Sequence, residues 1–294
     1  MNSPKLRREA EGRKIMGDRS DGVGFRISSK RLPTGWTQRA NRLLDRLFGF
    51  AAFNAAFDRA AQCRDSELGQ AILDALGVRV ELSGAPKETI PREGALVVIS
   101  NHPFGVLDAV AVHALLSSVR PDVSLLAAHW FAQIPRLQRP FMIIVGAQGA
   151  KKRRRQSVAG WHMTLQRLDR GEAILVFPAG QAARFDWGGM RIADLPWSAH
   201  VASVVRRASA AVVPVFVEGA NSRTFYVLTA ILPGLANFLL ARECTKKANA
   251  VVRLAIGRSI APSELAKFAS DEDAVQFLRE NVEALAPPRE PPVS

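Results

Sequence analysis

One stretch of the sequence decides the fold: Ala95-Leu96-Val97-Val98-Ile99-Ser100-Asn101-His102-Pro103-Phe104-Gly105-Val106-Leu107-Asp108. The apolar run from Ala95 to Ile99 predicts a short buried strand, and Pro103 and Gly105 predict a tight loop directly after it. His102 therefore lies at the C-terminal end of a strand, where open α/β sheets usually bind their ligands. Asp108 follows six positions later, so its side chain can meet His102 only if the chain turns between them.

Two interpretations fit the pair of His102 and Asp108. In the first, the histidine is a general base, and the carboxylate fixes its tautomer and stabilises its protonated form. In the second, His102 is a loop histidine capped by Asn101, and Asp108 is simply exposed. The local spacing alone favours the second interpretation, so the rest of the chain has to decide between them.

The charge of the chain indicates a polyanionic partner. The 294 residues include 40 Lys and Arg against 27 Asp and Glu, a formal net charge of +13. Such a balance suits nucleic acid, an anionic membrane surface or an acidic carrier protein. Because aromatic residues are sparse and neither an RNA-binding motif nor a zinc-finger spacing occurs, we expect no nucleic acid partner.

The cysteines and the apolar segments indicate where the protein works. Cys63 and Cys244 form no paired motif, which is compatible with a reducing compartment. The N-terminus lacks the apolar core of a secretory signal. No uninterrupted apolar run approaches the roughly 20 residues of a spanning helix. We therefore expect a protein that lies on a membrane, if it meets one at all.

Strands and helices alternate from Ala95 onward, which predicts an α/β fold with a mostly parallel central sheet flanked by helices. Before it, Thr37 to Arg64 predicts an amphipathic helix, which can either pack on the core or lie in a membrane interface. Its predicted apolar face comprises Leu43, Leu44, Leu47, Phe48, Ala51, Phe53 and Phe57. We expect four parts: a disordered basic arm (1–33), N-terminal amphipathic helices (34–77), an α/β domain (78–286) and a flexible tail (287–294).

Three further loops follow predicted strands in the same way as the His102 loop. The first contains Gly146 and Gly149 and leads into five cations, Lys151 to Arg155, an arrangement that can offer backbone amides and charge to a phosphate. The second ends at Arg184, and arginine can hold a phosphate or carboxylate bidentately. The third carries Gly219, Asn221 and Arg223. Four such loops at one sheet edge would place a general base beside an anionic ligand.

Other catalytic layouts lack their motifs. The sequence has no Gly-x-Ser-x-Gly, no His-Glu-x-x-His and no Gly-x-Gly-x-x-Gly, so we expect neither a serine hydrolase, nor a zinc site, nor a dinucleotide site. We expect no metal and no cofactor. We assign no function to the remaining histidines, which are His113, His129, His162 and His200.

Taken together, the loops resemble the sequence blocks of the glycerophospholipid acyltransferase superfamily of the lysophosphatidic acid acyltransferase type. Its first block is Asn-His, four residues and Asp; its third is Phe-Pro-Glu-Gly-Thr-Arg; its fourth is Val-Pro-Val-x-x-x-Gly. Here these blocks are Asn101-His102…Asp108, Phe177-Pro178-Ala179-Gly180-Gln181-Ala182-Ala183-Arg184, and Val213-Pro214-Val215-Phe216-Val217-Glu218-Gly219. The resemblance covers roughly Pro86 to Asn281 and makes residues 78–286 the acyltransferase domain.

The chain is more similar to the hemolysin-like branch, which is also linked to ornithine lipid synthesis. That branch has one extra residue before the aspartate, an Asn-Ser-Arg after the fourth block, and a Leu-x-x-Arg-Glu segment similar to Leu239–Glu243. Two departures stand out: Ala179 replaces the glutamate of the third block, and Gln181 replaces the usual glutamate of the branch two positions later. We therefore expect the activity or the choice of acceptor to differ from that of the branch.

The resemblance implies a membrane-surface O-acyltransferase of lipid metabolism on the cytoplasmic side of the membrane. The acyl chain would pass directly, without an acyl-enzyme, from acyl carrier protein or acyl-coenzyme A to a hydroxyl of lysophosphatidic acid or a lyso-ornithine lipid. His102 would be the base and Asp108 would orient it, with backbone amides near Gly180 stabilising the oxyanion. The implied substrate-binding residues are Asn101, Gly105, Lys151, Arg155, Pro178, Gly180, Gln181, Arg184, Gly219, Asn221 and Arg223. The alternative is a catalytically inactive lipid-binding or scaffold protein of the same fold.

Overall fold

The computed structural model describes residues 39, 43, 45, 48–60, 62–128, 142–145 and 151–288; the side chains of 128, 144, 145, 151–156 and 233 are not among the described features. The predicted basic arm (1–33) and the glycine-containing loop before Lys151 lie outside the described residues. So do the last six residues of the predicted tail, and these predictions stay predictions.

The strands are, in chain order, β1 (Arg79–Gly84), β2 (Leu96–Ser100), β3 (Val123–Ala128), β4 (Met142–Val145), β5 (Ala173–Val176), β6 (Arg184–Asp186), β7 (Arg191–Ala193), β8 (Ala211–Glu218) and β9 (Val251–Ile256). The helices are α1 (Phe50–Arg59), α2 (Leu68–Leu76), α3 (Val106–Ser117), α4 (Lys151–Asp169), α5 (Ala199–Arg207), α6 (Arg223–Ile231), α7 (Ala236–Lys246), α8 (Pro262–Leu265) and α9 (Asp271–Glu283). The alternation of strands and helices that the sequence predicts from Ala95 onward is present.

The central sheet of the described residues has the strand order β1-β9-β8-β2-β5-β3-β4. Its pairings are parallel, except that β8 and β9 run antiparallel. The predicted mostly parallel sheet flanked by helices is confirmed. β2 lies between β8 and β5, and all of its residues are buried. Burial on both faces explains why the strand appears in the sequence as an unbroken apolar run.

Two apolar layers sandwich this sheet. One contains the buried faces of α1, α2, α3, α6 and α7, and the other contains those of α4, α5, α8 and α9. α3 leaves β2 on the first side, and α5 leads to β8 on the second side. β2 is thereby enclosed from both directions, so its C-terminal end is held at a fixed place on the sheet edge.

The N-terminal helix differs from its prediction at Gly49. This residue adopts φ 66° and caps α1, which interrupts the continuous helix predicted over Thr37–Arg64. A side chain at this position would press on Thr245 of α7, so the close approach favours glycine. The interruption changes which residues face inward: Phe50 is buried, whereas Ala51 of the predicted apolar face is exposed.

The described part of this segment packs on the domain core. Phe53 and Phe57 are buried with their ring centroids 4.4 Å apart, and α1 contacts both α2 and α7. This agrees with the core-packing interpretation of the amphipathic pattern. Among the helices that the structure describes, none combines the length and the apolar composition of a bilayer-spanning segment.

A small hairpin of β6 and β7 is absent from the sequence prediction. Its strands pair antiparallel over three residues each, too few for a periodic pattern to emerge. The carboxylate of Asp186 accepts hydrogen bonds from the N–H groups of Gly188 (3.1 Å) and Gly189 (3.2 Å) and so closes the turn. The hairpin lies directly after the predicted third block.

We expect His113 to make the protein sensitive to mild acid. The residue is buried on α3, and burial lowers its pKa from 6.5 to about 4. As the pH falls, the unfolded chain takes up the proton first, so about 3 kcal/mol of unfolding free energy should be lost between these pKa values. Urea unfolding between pH 7 and pH 4 should show a shallower loss for His113→Gln than for the wild type. His162→Gln, at an exposed position of α4, is the control; equal slopes for all three proteins would contradict the prediction.

Candidate active site

The end of β2 is tied to β8 by the side chain of Asn101. Its Nδ2 donates to the carbonyl of Val217 (2.9 Å), and its Oδ1 accepts from the Val217 N–H (2.6 Å). Asn101 was predicted to bind substrate, but both of its polar side-chain atoms contact backbone. The residue therefore positions the loop that begins with His102.

The turn required between His102 and Asp108 is present. Gly105 adopts φ 88° and caps α3, and Asp108 lies in the first turn of this helix. The Asp108 carboxylate is fully buried and accepts from the N–H groups of Phe104 (2.9 Å) and Gly105 (2.8 Å). A negative charge at a helix N-terminus is favoured by the helix dipole. One carboxylate thus caps α3 and closes the loop.

The same carboxylate reaches the histidine ring. Asp108 Oδ2 lies 2.9 Å from His102 Nδ1, although its approach falls outside the angular range of a regular hydrogen bond. The attraction is electrostatic at this distance, and it strengthens when the imidazole takes up a proton. The ring of His102 also stacks on Phe177, with centroids 4.2 Å apart. Nδ1 therefore faces the carboxylate, and Nε2 is the nitrogen left for a ligand.

The backbone of His102 is held by two residues that the sequence analysis did not predict, Asp194 and Ala183. Its N–H donates to Asp194 Oδ1 (3.1 Å), and its carbonyl accepts from the N–H of Ala183 (2.8 Å). Asp194 also accepts from Trp197 Nε1 (3.0 Å). Burial raises the pKa of Asp194, although hydrogen bonds from His102 and Trp197 oppose the shift. Asp194 lies after the unpredicted hairpin and within no motif, so no sequence signal pointed to it.

The loop of the third block presents a polar edge beside His102. Gly180 is exposed with φ 67°, and its N–H donates to the carbonyl of Phe177 (2.9 Å), so this amide is already occupied. The N–H groups of Gln181 and Ala182 make no hydrogen bond to any described residue. Arg184 reaches back along the loop, where its Nη2 donates to Gln181 Oε1 (2.5 Å).

The loop after β8 contacts the His102 loop and helps to hold it in place. Asn221 is buried; its Nδ2 donates to the carbonyl of Pro103 (3.1 Å), and its Oδ1 accepts from Lys247 Nζ (3.2 Å). The Lys247 ammonium also lies 4.7 Å from the centre of the Phe104 ring. Burial lowers the pKa of Lys247, while Glu243 and Asp108 pull it upward. Asn221, predicted to bind substrate, therefore contacts the loop and a lysine that the sequence analysis missed.

Glu243 anchors this second loop. Its buried carboxylate accepts from the N–H and the hydroxyl of Ser222 (both 2.7 Å) and from Lys246 Nζ (2.9 Å). Burial alone would raise the pKa of Glu243, but the hydrogen bonds from Lys246 and Ser222 outweigh it and hold the pKa below its usual range. Glu243 belongs to the Leu-x-x-Arg-Glu segment of the sequence analysis, where it received no function. Its contacts identify it as a structural clamp of the loop after β8.

The remaining predicted residues lie at various distances from this centre. Pro178 is buried, and its backbone carbonyl accepts a hydrogen bond from the N–H of Ser198 (3.1 Å). Arg223 is exposed at the start of α6. The side chains of Lys151 and Arg155 lie outside the described residues, so their contribution stays a prediction. Among the residues that the structure describes, no group of three or more His, Cys, Asp or Glu side chains is placed to hold a metal ion.

A family model described as acyltransferase matches residues 42–286. The chain belongs to this acyltransferase family. The match includes all four strand-end loops, and it confirms the predicted family and the prediction of an enzyme. The match also includes α1 and α2, which pack against the sheet domain.

Two curated relatives are lyso-glycine lipid O-acyltransferases. That of Phocaeicola vulgatus is 28% identical over 222 residues, 72% of this chain and 75% of the relative. That of Bacteroides thetaiotaomicron is 28% identical over 199 residues, 65% of this chain and 69% of the relative. A solved structure, the 1-acyl-sn-glycerophosphate (LPA) acyltransferase PlsC from Thermotoga maritima, is 17% identical, with a TM-score of 0.46, covering 84% of this chain and 95% of that one.

We expect Gly219→Ala to disturb the acyltransferase site through Phe104. Gly219 adopts φ 128°, and a Cβ there would collide with the ring of Phe104. The backbone N–H of Phe104 donates to the carboxylate of Asp108, so a displaced Phe104 would disturb the site. The unfolding free energy should fall by about 1–3 kcal/mol, and enzyme activity should fall with it. Gly94→Ala is the matched control, because Gly94 also has a positive φ (82°) but open space around the added atom. Equal losses in the two variants, measured by urea unfolding, would contradict a specific contact with Phe104.

Proposed function

We propose that this acyltransferase moves an acyl chain from an acyl thioester to a hydroxyl group of a lyso-lipid, with His102 as general base. The observation that carries the proposal is the pairing of His102 Nδ1 with the buried Asp108 carboxylate at 2.9 Å. A carboxylate in this place favours the tautomer with a proton on Nδ1, so that Nε2 accepts a proton. The donor is acyl carrier protein or acyl-coenzyme A.

The reaction needs one proton transfer and one attack. His102 Nε2 takes the proton of the acceptor hydroxyl as the oxygen attacks the thioester carbonyl, and Asp108 stabilises the imidazolium that results. The carbon–sulfur bond then breaks, and the leaving thiolate recovers the proton. No acyl-enzyme is needed, because the acceptor oxygen is itself the nucleophile.

The loop of the third block supplies the groups that stabilise charge. Since the Gly180 amide is occupied, the N–H groups of Gln181 and Ala182 are the better candidates for the oxyanion, a contribution that is typically a few kcal/mol. Arg184 holds the anionic head of the acceptor. A glutamate at position 181 would neutralise Arg184 as an ion pair, whereas the Gln181 amide only accepts one of its hydrogen bonds. The amide thus leaves the charge of Arg184 for the acceptor.

An amino-acid lyso-lipid is the favoured acceptor, with lysophosphatidic acid as the second candidate. Both curated relatives carry the name lyso-glycine lipid O-acyltransferase, and the proposed acceptor here is of the same chemical class, which includes lyso-ornithine lipid. A carboxylate matches the planar guanidinium of Arg184 bidentately. We further propose that the enzyme works on the cytoplasmic side of an anionic membrane, which its net charge of +13 supports.

His102→Ala should reduce acyl transfer at least about 10²-fold, because the general base is lost. Circular dichroism and urea unfolding should show an intact fold. His162→Ala removes an exposed histidine on α4 and should leave the rate unchanged. The assay combines a panel of lyso-lipids with labelled acyl carrier protein or acyl-coenzyme A. Turnover of His102→Ala at the wild-type rate would refute the mechanism, and no turnover by the wild type with any pair would favour the inactive lipid-binding alternative.

Arg184→Met should raise the KM for an amino-acid lyso-lipid about tenfold or more with a smaller change in kcat, since a charged hydrogen bond to the head group is lost. An uncharged lyso-lipid should show no such increase. Arg170→Met is the control, because Arg170 is an exposed arginine just before β5 begins, away from the C-terminal strand ends that carry the site. Equal KM values for wild type and Arg184→Met would exclude Arg184 from acceptor binding.

A further inference from the structure

An apolar surface stands out beside the site, and we name it the hairpin–α6 surface. It consists of the exposed apolar side chains of the β6–β7 hairpin and of one face of α6 with the turn after it. Its members are Trp187, Met190, Ile192, Val227, Ile231 and Leu232. Exposed apolar residues scattered singly are ordinary on a protein surface, but a group of them on adjoining elements indicates an interaction site.

The hairpin holds its apolar tip in a defined conformation. Trp187 and Met190 are 70% and 71% exposed, and the two hydrogen bonds of Asp186 fix the glycines between them. Met190 adopts φ 47°, a conformation that residues other than glycine seldom take. The ring of Trp187 packs edge-on against Phe185 at 4.8 Å. The tip is therefore a built projection that keeps two large apolar side chains in solvent.

α6 adds a second apolar ridge. Val227 and Ile231 lie four residues apart and so share one face of the helix, with Ile231 68% exposed. Arg223 occupies the same face one turn earlier and is also exposed. The opposite face of the helix is buried through Phe225 and Tyr226. The exposed face thus carries a cation at its start and aliphatic side chains beyond it.

The two projections adjoin each other and the site. β6 contacts α6. β6 begins one residue after Ala183, whose N–H binds the carbonyl of His102, and α6 begins two residues after Asn221, which binds the carbonyl of Pro103. Whatever covers this surface therefore lies next to the opening of the site.

We infer that the hairpin–α6 surface docks the enzyme on an anionic bilayer, so that the lyso-lipid reaches His102 directly from the membrane. The inference rests on the proposed lyso-lipid acceptor. Tryptophan and aliphatic side chains flanked by arginines are typical of groups that insert at the interface of a bilayer. Arg184, Arg191 and Arg223 supply such cations here. A bilayer can deform around the two projecting ridges, and the excess of Lys and Arg over acidic residues is complementary to the negative charge of its head groups.

The test is vesicle co-sedimentation of the full-length protein with phosphatidylcholine vesicles, with and without phosphatidylglycerol. Trp187→Glu combined with Ile231→Glu should weaken binding to the anionic vesicles at least about tenfold. Val158→Glu combined with Met163→Glu is the matched control, because it places the same charges at exposed apolar positions of α4, on the other layer. The control should bind like the wild type. Equal binding by wild type and the Trp187/Ile231 variant would overturn the inference, as would equal weakening in both double variants.

Activity assays separate this inference from the proposed function. With a water-soluble, short-chain lyso-lipid below its micelle concentration, the Trp187/Ile231 variant should turn over at the wild-type rate, whereas with acceptor in vesicles it should be at least about tenfold slower. Absence of wild-type turnover on the soluble acceptor would count against the proposed function and leave the vesicle-binding result standing. If sedimentation equilibrium showed a wild-type dimer that the variant dissociates, with vesicle binding unchanged, the surface would instead bind a second copy of the chain.

Discussion

The architecture of the site depends on the buried carboxylate of Asp108. It accepts from two consecutive backbone N–H groups of the loop, lies in the first turn of α3 and stands against the ring of His102. A charge so far from water is tolerated only where several partners satisfy it. The loop, the helix start and the imidazole are therefore interdependent, because each contributes a partner that offsets the free-energy cost of burying the carboxylate.

The sequence was sufficient for the centre of this arrangement and insufficient for its surroundings. β2 and the turn at Gly105 follow from local signals within a few residues of one another. The local spacing alone favoured an exposed Asp108, and only the other strand-end loops pointed to its pairing with His102. Asp194 and Lys247 contact the same loop from positions far along the chain, and only tertiary packing brings them there. The break at Gly49 escaped prediction because the apolar pattern continues across it, while the close contact with α7 that favours a glycine is not visible in the sequence.

The observed contacts also divide the polar residues of the site by task. Asn101 and Asn221 resemble ligand-binding residues in sequence, but their amides bind backbone carbonyls and hold the strand-end loops together. In the loop from Gly180 to Arg184, Gly180 and Gln181 are exposed, whereas Ala182 and Ala183 are buried. The contacts of Asn101 and Asn221 thus hold the His102 loop in place, whereas the loop from Gly180 to Arg184 carries the groups that can bind a ligand.

The antiparallel pairing of β8 with β9 has a consequence for which residues can reach the site. In a sheet of wholly parallel strands, the chain would have to return to the opposite edge before entering β9. Because β9 runs the other way, the α6–α7 helical pair goes out and comes back, and the chain enters the sheet from the same edge at which β8 left it. The reversal leaves Glu243, in the last turn of α7, and Lys247, directly after this helix, beside the loops of the site. The reversed direction of β9, which β1 shares, thereby lets a segment that follows the whole set of sequence blocks support the loop of the first block.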